Sequence, residues 1–363
     1  MLREIGSNFW ISPGEGSGGR PLSDPSVFQC PGTDSVWLST GRSATRLVLE
    51  TVLKRNPAAR RIALVPSFTC HTVIEPFLCS GYNVVPIPVH VTELSVSAET
   101  ILSLQQQTGA GVVLFHHYFG FPTLDDPKRV VEVLNRRGVI VIEDRTQCLY
   151  SGFGVSGADY YVGSIRKWCG VPDGGFAVCR EGSFPDKPVD PDGPMVEKKR
   201  EAAALKYKYI FAGEGEKRVF KDLYREAESM LDSQEGYYTI SPLSSRIQAG
   251  LDVGSLVERR RRNYLHLLNA LAGSPGLTPV FAGLPESVAP LYFPLYSEDR
   301  SRLQSLLADQ DIYAPVVWPK ADCCPPVDAE AEFVYQHILC IPIDQRYGDD
   351  DMDRICRVVR NEN

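Results

Sequence analysis

The stretch Gly138-Val139-Ile140-Val141-Ile142-Glu143-Asp144 decides the fold. Its run of branched aliphatics between a glycine and two acids leaves no polar face. That is the pattern of a strand covered on both sides in a parallel sheet, not of a half-exposed antiparallel one. In open α/β sheets ligands gather beyond the carboxyl ends of the strands, so Asp144 is expected at the rim of a site. Working outward, comparable apolar runs occupy Ile62 to Val65, Val84 to Val89, Val112 to Phe115, Tyr160 to Val162 and Phe176 to Cys179, separated by polar stretches of helical character. The alternation predicts an α/β chain whose large domain has three layers around a mostly parallel sheet.

The flanks complete the organisation. The first thirty residues are rich in Gly, Ser and Pro and read as an extended arm laid over the surface. From Ser43 onward Ala44, Leu47, Val48, Val52 and Leu53 recur at helical spacing, opened by Thr40-Gly41-Arg42-Ser43, whose hydroxyls are placed to cap the first amides. Charge-laced helical sequence runs from Glu197 to about Gly273, with Ile247, Leu251, Leu256, Tyr264, Leu265 and Leu268 as its apolar positions. The tail offers strands at Leu291 to Tyr296 and Tyr313 to Val317, and helices around Arg302 to Leu307 and Met352 to Val359. This predicts an arm (1–30), a large domain (31–250) and a smaller α+β C-terminal domain (251–363).

Composition narrows the function. With 363 residues, 43% of them apolar, the chain can bury a sizeable core. The 38 Lys and Arg against 45 Asp and Glu give a formal net charge of −7, a field that repels nucleic acid and anionic membranes. No stretch approaches the roughly 18 to 20 apolar residues that span a bilayer, and Met1-Leu2-Arg3-Glu4 carries no apolar signal core, so a cytoplasmic location is expected. The 10 cysteines are scattered apart from Cys323-Cys324 and read as reduced thiols. Gly14-Glu15-Gly16-Ser17-Gly18-Gly19 has dinucleotide-binding spacing, but Pro21 and Pro25 stand where the helix should run. His116-His117 would point to opposite faces of a strand, one packed and one facing a site, and no metal centre is expected from them.

The residues that carry chemistry lie further on. Asp159-Tyr160-Tyr161-Val162-Gly163 is a second short strand that runs into Ser164-Ile165-Arg166-Lys167 and then a turn with Gly170, Gly174 and Gly175. Taken singly, a strand-end Asp is as often a metal or ribose ligand, and Arg166-Lys167 is more often a solvated pair. Taken together, an acid at a strand end, a lysine leaving the next strand, a hydroxyl beside it and an earlier helix start suit pyridoxal 5'-phosphate (PLP). The lysine amine forms a Schiff base with the aldehyde, the acid keeps the pyridine nitrogen protonated, and helix-start amides with hydroxyls hold the phosphate.

Gly41-Arg42-Ser43-Ala44, Val65-Pro66-Ser67-Phe68-Thr69, His117-Tyr118-Phe119-Gly120, Val141-Ile142-Glu143-Asp144-Arg145-Thr146-Gln147 and Ser164-Ile165-Arg166-Lys167 with Gly174-Gly175 resemble the sugar aminotransferase family typified by DegT and StrS. The resemblance implies the fold-type-I PLP architecture, a homodimer, and Lys167 as the Schiff-base lysine. By the same resemblance Asp144 pairs with the pyridinium, Gln147 approaches the ring face or phenolic oxygen, Ser164 binds phosphate, and Gly41, Arg42 and Ser43 stand at the phosphate cradle. His117 falls at the family's strand-end histidine and lines the pocket. Where the family stacks an aromatic ring on the cofactor this chain has Cys70 and His71. Arg145-Thr146 replaces two small residues, bringing a guanidinium that suits a substrate carboxylate or phosphate.

The activity so implied is transamination from an amino donor, glutamate, to a nucleotide-linked keto-sugar. A same-fold enzyme of other specificity, such as an amino-acid aminotransferase or a dehydratase, and a non-catalytic PLP-binding regulatory protein are the alternatives. Of the remaining residues, Arg259-Arg260-Arg261-Arg262 reads as a solvated helix face, with contact to a diphosphate as the second reading. Arg346 is a substrate-contact candidate from the small domain, Trp318 a packing residue, and Cys169 a structural thiol unless sulfur chemistry is at work.

Overall fold

A computed structural model describes residues 3–360. In chain order the strands are β1 (Ile5–Gly6), β2 (Asp34–Leu38), β3 (Ile62–Pro66), β4 (Asn83–Ile87), β5 (Val112–His116), β6 (Ile140–Asp144), β7 (Tyr160–Ser164), β8 (Gly175–Cys179), β9 (Leu277–Pro279), β10 (Phe293–Ser297), β11 (Ile312–Tyr313) and β12 (Ile338–Ile341). The helices are α1 (Gly41–Arg55), α2 (His71–Cys79), α3 (Ala98–Thr108), α4 (Pro127–Arg136), α5 (Gly193–Ala212), α6 (Lys217–Asp232), α7 (Pro242–Ala249), α8 (Val253–Ala270), α9 (Arg300–Ala308), α10 (Ala329–His337) and α11 (Asp349–Arg360). The α/β alternation expected from the sequence is present, and the chain divides into two units.

The first unit holds the described residues up to Ser7, Ala58–Asp159, and the chain from Asp252 onward. Its larger sheet runs β6-β5-β3-β4 with every pairing parallel. A parallel pair needs a crossover, and helices supply it: α2 lies between β3 and β4, α3 between β4 and β5, and α4 between β5 and β6. β5 is buried along its whole length and β6 along all but its first residue, which is why both read as unbroken apolar runs. The chain winds from β3 to β4 in one direction and through β5 to β6 in the other. The reversal falls between β3 and β5, where an α/β sheet opens its ligand crevice beyond the carboxyl ends.

The C-terminal stretch of this unit builds an antiparallel sheet, β12-β10-β9, with β10 fully buried and helices α9 and α10 against it. The strand expected over 313–317 contracts to β11, because Pro315 has no amide to extend the ladder. β1 pairs parallel with β11, matching Ile5 to Ile312. Ile5 is fully buried, and a Cβ on Gly6 would lie 2.3 Å from the Tyr313 carbonyl oxygen. The surface-arm expectation for 1–30 therefore fails at Glu4 to Gly6, which are core; Met1 and Leu2 lie outside the described residues.

The second unit holds Asn8–Pro57 and Tyr160–Leu251. Here β8 is flanked by β2 and β7, both antiparallel to it, and α1 packs on β7 and β8. Phe28, also within the expected arm, is buried and stacks on Phe176 with centroids 4.6 Å apart. The expected helical region from Glu197 resolves into α5, α6 and α7 in this unit and α8 in the first. Among the described residues no helix is long and apolar enough to cross a membrane, no group of three or more His, Cys, Asp or Glu is placed to hold a metal, and all ten cysteines are free thiols.

Candidate active site

In the first unit the focus is the carboxyl end of β6. Asp144 is 8% exposed, and its Oδ1 accepts the Thr146 amide at 2.8 Å. Burial lifts its pKa above the ordinary carboxylate value by more than the Thr146 hydrogen bonds lower it. A desolvated carboxylate of this kind gains from a cationic N–H partner. Gln147 is buried nearby in sequence, and its Oε1 accepts the Phe119 amide at 2.7 Å. Phe119 and Gly120 both have positive φ, and a Cβ on Gly120 would lie 2.0 Å from the Ala289 carbonyl oxygen. That close approach requires glycine, and it fixes the turn that in turn orients Gln147.

The two histidines diverge as strand neighbours must. His116, the register partner of Asp144 on β5, places Nε2 3.0 Å from Thr69 Oγ1, and its ring lies 4.5 Å from Tyr118 and 5.8 Å from Trp318. His117 faces Phe153 at 4.9 Å and accepts the Thr123 amide on Nδ1 at 3.1 Å, which leaves the proton on Nε2. Burial, with smaller repulsion from His117 and Arg145 respectively, pushes both down to about 3, so both rings are neutral at pH 7. Beyond β3, the Tyr335 hydroxyl takes the Thr69 amide at 3.1 Å and lies 3.1 Å from the Ser67 carbonyl oxygen. Cys70 is the N-cap of α2 without a capping side-chain bond, its Sγ accepts from Thr72 at 3.1 Å, and His71 is exposed in the first turn.

Two arginines offered to substrate by the sequence are engaged inside the protein. Arg145 is 3% exposed; its Nη1 donates to Glu143 Oε1 at 2.8 Å and to the Gly154 carbonyl at 2.8 Å. The second Glu143 oxygen accepts the Ser156 amide and hydroxyl at 2.9 and 2.6 Å. The guanidinium thus neutralises a carboxylate that would otherwise be a lone buried charge, and it braces residues 148–156 against β6. Arg346 is likewise turned onto Asp344, through Nε at 2.7 Å and Nη2 at 2.9 Å. Burial raises Asp344, but Arg346 and Arg260 outweigh it and hold the carboxyl below its usual range. The arginine run is not one solvated face: Arg262 is exposed, Arg259 and Arg261 are half-buried and Arg260 is buried. Arg260 is 1% exposed and donates to the Leu291 carbonyl at 2.9 Å, Arg261 to the Pro285 and Val288 carbonyls, while Arg259 and Arg262 pair with Asp349 and Glu258.

In the second unit the start of α1 is the anchor. Thr40 caps it, its Oγ1 accepting the Ser43 amide at 3.0 Å and lying 2.8 Å from the Ser43 hydroxyl. A Cβ on Gly41 would stand 3.4 Å from Ser164 Cβ, so Gly41, Ser43 and Ser164 are gathered around one helix N-terminus. Helix-start amides with flanking hydroxyls suit a phosphate. Ser164 donates to the Gly174 carbonyl at 3.0 Å, and Arg42 is directed to Asp232 at 2.5 Å.

Lys167 ends the short 3-10 turn Ile165–Lys167 and is exposed. That turn is tied down on both sides. Arg166 forks onto Glu228 at 2.6 and 2.8 Å, Glu228 also receives Lys199, and the Asp173 carboxylate accepts the Ser241 amide and hydroxyl and the Ser244 hydroxyl. Cys169 is buried with its thiol on the Ile165 carbonyl, the structural placement expected of it. Sequence reasoning did not find Thr69 with His116 and Tyr335, nor Lys199 with Glu228. Tyr335 and Glu228 reach these places from distant elements, and no local pattern marks them.

No family model and no curated protein sequence matches the chain. Solved structures do. Helicobacter pylori PseC, an aminotransferase of pseudoaminic acid biosynthesis, is 12% identical over 99% of both chains, with a TM-score of 0.72. The sugar aminotransferase CalS13 from Micromonospora echinospora is 19% identical over 99% of both chains, with a TM-score of 0.67. The fold is that of the sugar aminotransferases. A third likeness, Spr1654 from Streptococcus pneumoniae in its PLP form, is 15% identical over 99% of this chain and 98% of that one, with a TM-score of 0.67. The sugar-aminotransferase fold thus covers the chain from end to end, with the α/β layering and large, mostly parallel sheet that the strand pattern predicts.

Proposed function

We propose that the protein is a PLP-dependent aminotransferase that takes an amino group from an amino-acid donor, glutamate, and passes it to a keto acceptor, a nucleotide-linked keto-sugar. One observation carries this: a buried, proton-hungry carboxylate, Asp144, at the carboxyl end of a central parallel strand in a fold whose solved neighbours include aminotransferases. Each unit offers donors of the right chemistry for the cofactor. Asp144 suits the protonated ring nitrogen, the α1 start with Gly41, Arg42, Ser43 and Ser164 suits the phosphate, and Lys167 is the amine for the aldehyde. Gln147, held by the Phe119 amide, suits the ring, and Cys70 and His71 are the candidates to cover it.

Bound there, PLP supplies the electron sink that stabilises a carbanion at the donor carbon. The chain's own residues do the rest. Lys167 Nζ, on a short anchored turn, would be the positioned base that moves the proton at the donor carbon. Asp144 would hold its negative charge against the ring nitrogen and so keep that nitrogen protonated. His117, neutral and fixed by Thr123, lines the site without exchanging protons at pH 7. A homodimer, and a division into a large and a small domain, belong to the same proposal.

Lys167→Ala tests it. The protein reconstituted with PLP should lose the visible absorbance of a lysine-linked cofactor and roughly a thousandfold or more of its turnover with glutamate. Retention of both rejects the assignment. Mass spectrometry of the wild-type holoenzyme after glutamate alone should show pyridoxamine phosphate, and nucleotide keto-sugars should return it to PLP where amino-acid-derived keto acids other than the donor's do not.

A further inference from the structure

Arg166, directly before Lys167, and Lys199 on α5 share one carboxylate, Glu228 on α6. Lys199 is 6% exposed, an ammonium carried into the interior of the second unit, and Glu228 is the carboxylate that receives it. Arg166 and Lys167 complete the set of charges that act on Lys199, and the charge of Arg166 also acts on Asp173, in the loop after Lys167. The arrangement is out of proportion to the needs of a surface turn. A short loop could be held by Asp173 and its serines, yet a lysine is buried beside it at the cost of desolvation.

We propose that Lys199, through the Glu228 carboxylate it shares with Arg166, is a positioning residue that sets the orientation and charge state of the Lys167 amine. Two cations on one carboxylate leave a positive excess at the base of the turn, and a like charge nearby favours the neutral amine. The neutral amine is the form that attacks an aldehyde and accepts a proton. Burial and repulsion from Arg166 and Lys167 push Lys199 down, and Glu228 opposes them, so the ion pair with Glu228 is what keeps the buried ammonium charged. Glu228 is pulled down to about 2 because the two cations outweigh its own burial. This role of Lys199 rests on the reading of Lys167 as the cofactor-linking amine.

The test measures Lys167 directly, in cofactor-free protein, by labelling with acetic anhydride across a pH series and quantifying the modified peptide by mass spectrometry. Wild-type Lys167 should titrate below the ordinary lysine value of about 10.4. Lys199→Met should raise its apparent pKa by about one unit and Glu228→Gln should lower it, while Lys199→Arg, which keeps the charge, should stay near wild type. Opposite shifts from two substitutions in one cluster are not what a purely structural role produces. Unchanged titration of Lys167 in folded Lys199→Met overturns the proposal, and should Glu228→Gln not fold, the Met and Arg variants of Lys199 decide it between them. If Lys199→Met leaves Lys167 unchanged while Lys167→Ala abolishes the cofactor absorbance, this inference fails and the functional reading stands. If the shifts occur but Lys167→Ala retains the absorbance, the reverse holds.

Discussion

At the scale of single residues, a buried charge is informative about what it is not free to do. Arg145 follows directly on Asp144, and its sequence position suits a substrate anion, but its hydrogen bonds to Glu143 and to the Gly154 carbonyl give it an internal partner on the opposite side of the strand end. Asp144 and Glu143 are sequence neighbours with opposite fates: one carboxylate is neutralised by a guanidinium inside the protein, the other is left desolvated with the Thr146 amide on it. Removing one member of the buried pair strands the other. Arg145→Met should destabilise the protein by about 3 to 5 kcal/mol in denaturant titration, and Glu143→Gln combined with it should recover much of that loss. A substrate-binding role would show instead as a raised KM with unchanged stability, so the two measurements separate the possibilities.

At the scale of elements, the start of α1 shows how a helix end is both built and used. Thr40 satisfies the Ser43 amide and leaves the first amides of the turn pointing outward, which is the state a phosphate needs. Thr40→Ala should cost about 1 kcal/mol in stability and weaken PLP binding, and Thr40→Ser should restore both. A loss of stability without any change in PLP affinity, read by cofactor titration, would place the phosphate elsewhere. This helix was legible in the sequence because its periodicity and its cap both lie in consecutive residues. The parallel strands were legible for the related reason that full burial leaves a local apolar signature in β3, β5 and β6. Among the elements that escaped are β1 and β12, which exist by pairing over long distances with the expected strands β11 and β10 and whose few residues carry no period of their own. The site divides in the same way, since Asp144, Ser164 and Lys167 stand at ends of readable strands, whereas the partners of Arg145 and Arg346 could be known only from the folded chain.

At the scale of the whole molecule, buried titratable groups make stability depend on pH with a sign that can be worked out. His116 and His117 titrate at about 3 in the folded first unit, against about 6.5 in an unfolded chain. Below about 6.5 the unfolded state takes up protons that the folded state refuses, so the stabilisation is complete above that value and falls away as pH drops toward 3. Asp144 and Asp173 act in the other direction: burial raises both, so their contribution favours folding below the ordinary carboxylate range and is lost as pH rises through their elevated values. Between pH 6.5 and about 5, where carboxylates of ordinary value remain ionised, proton uptake by the two histidines of the unfolded chain lowers stability as pH falls. The thermal midpoint should therefore decline on acidification across this window, and His116→Gln with His117→Gln should flatten the decline. Thr123 would retain an acceptor in the glutamine side chain, which keeps the comparison one of charge more than of lost hydrogen bonds. A wild-type midpoint that stays level from pH 7 to 5 would mean that the histidines reach water through a path the folded unit opens without unfolding.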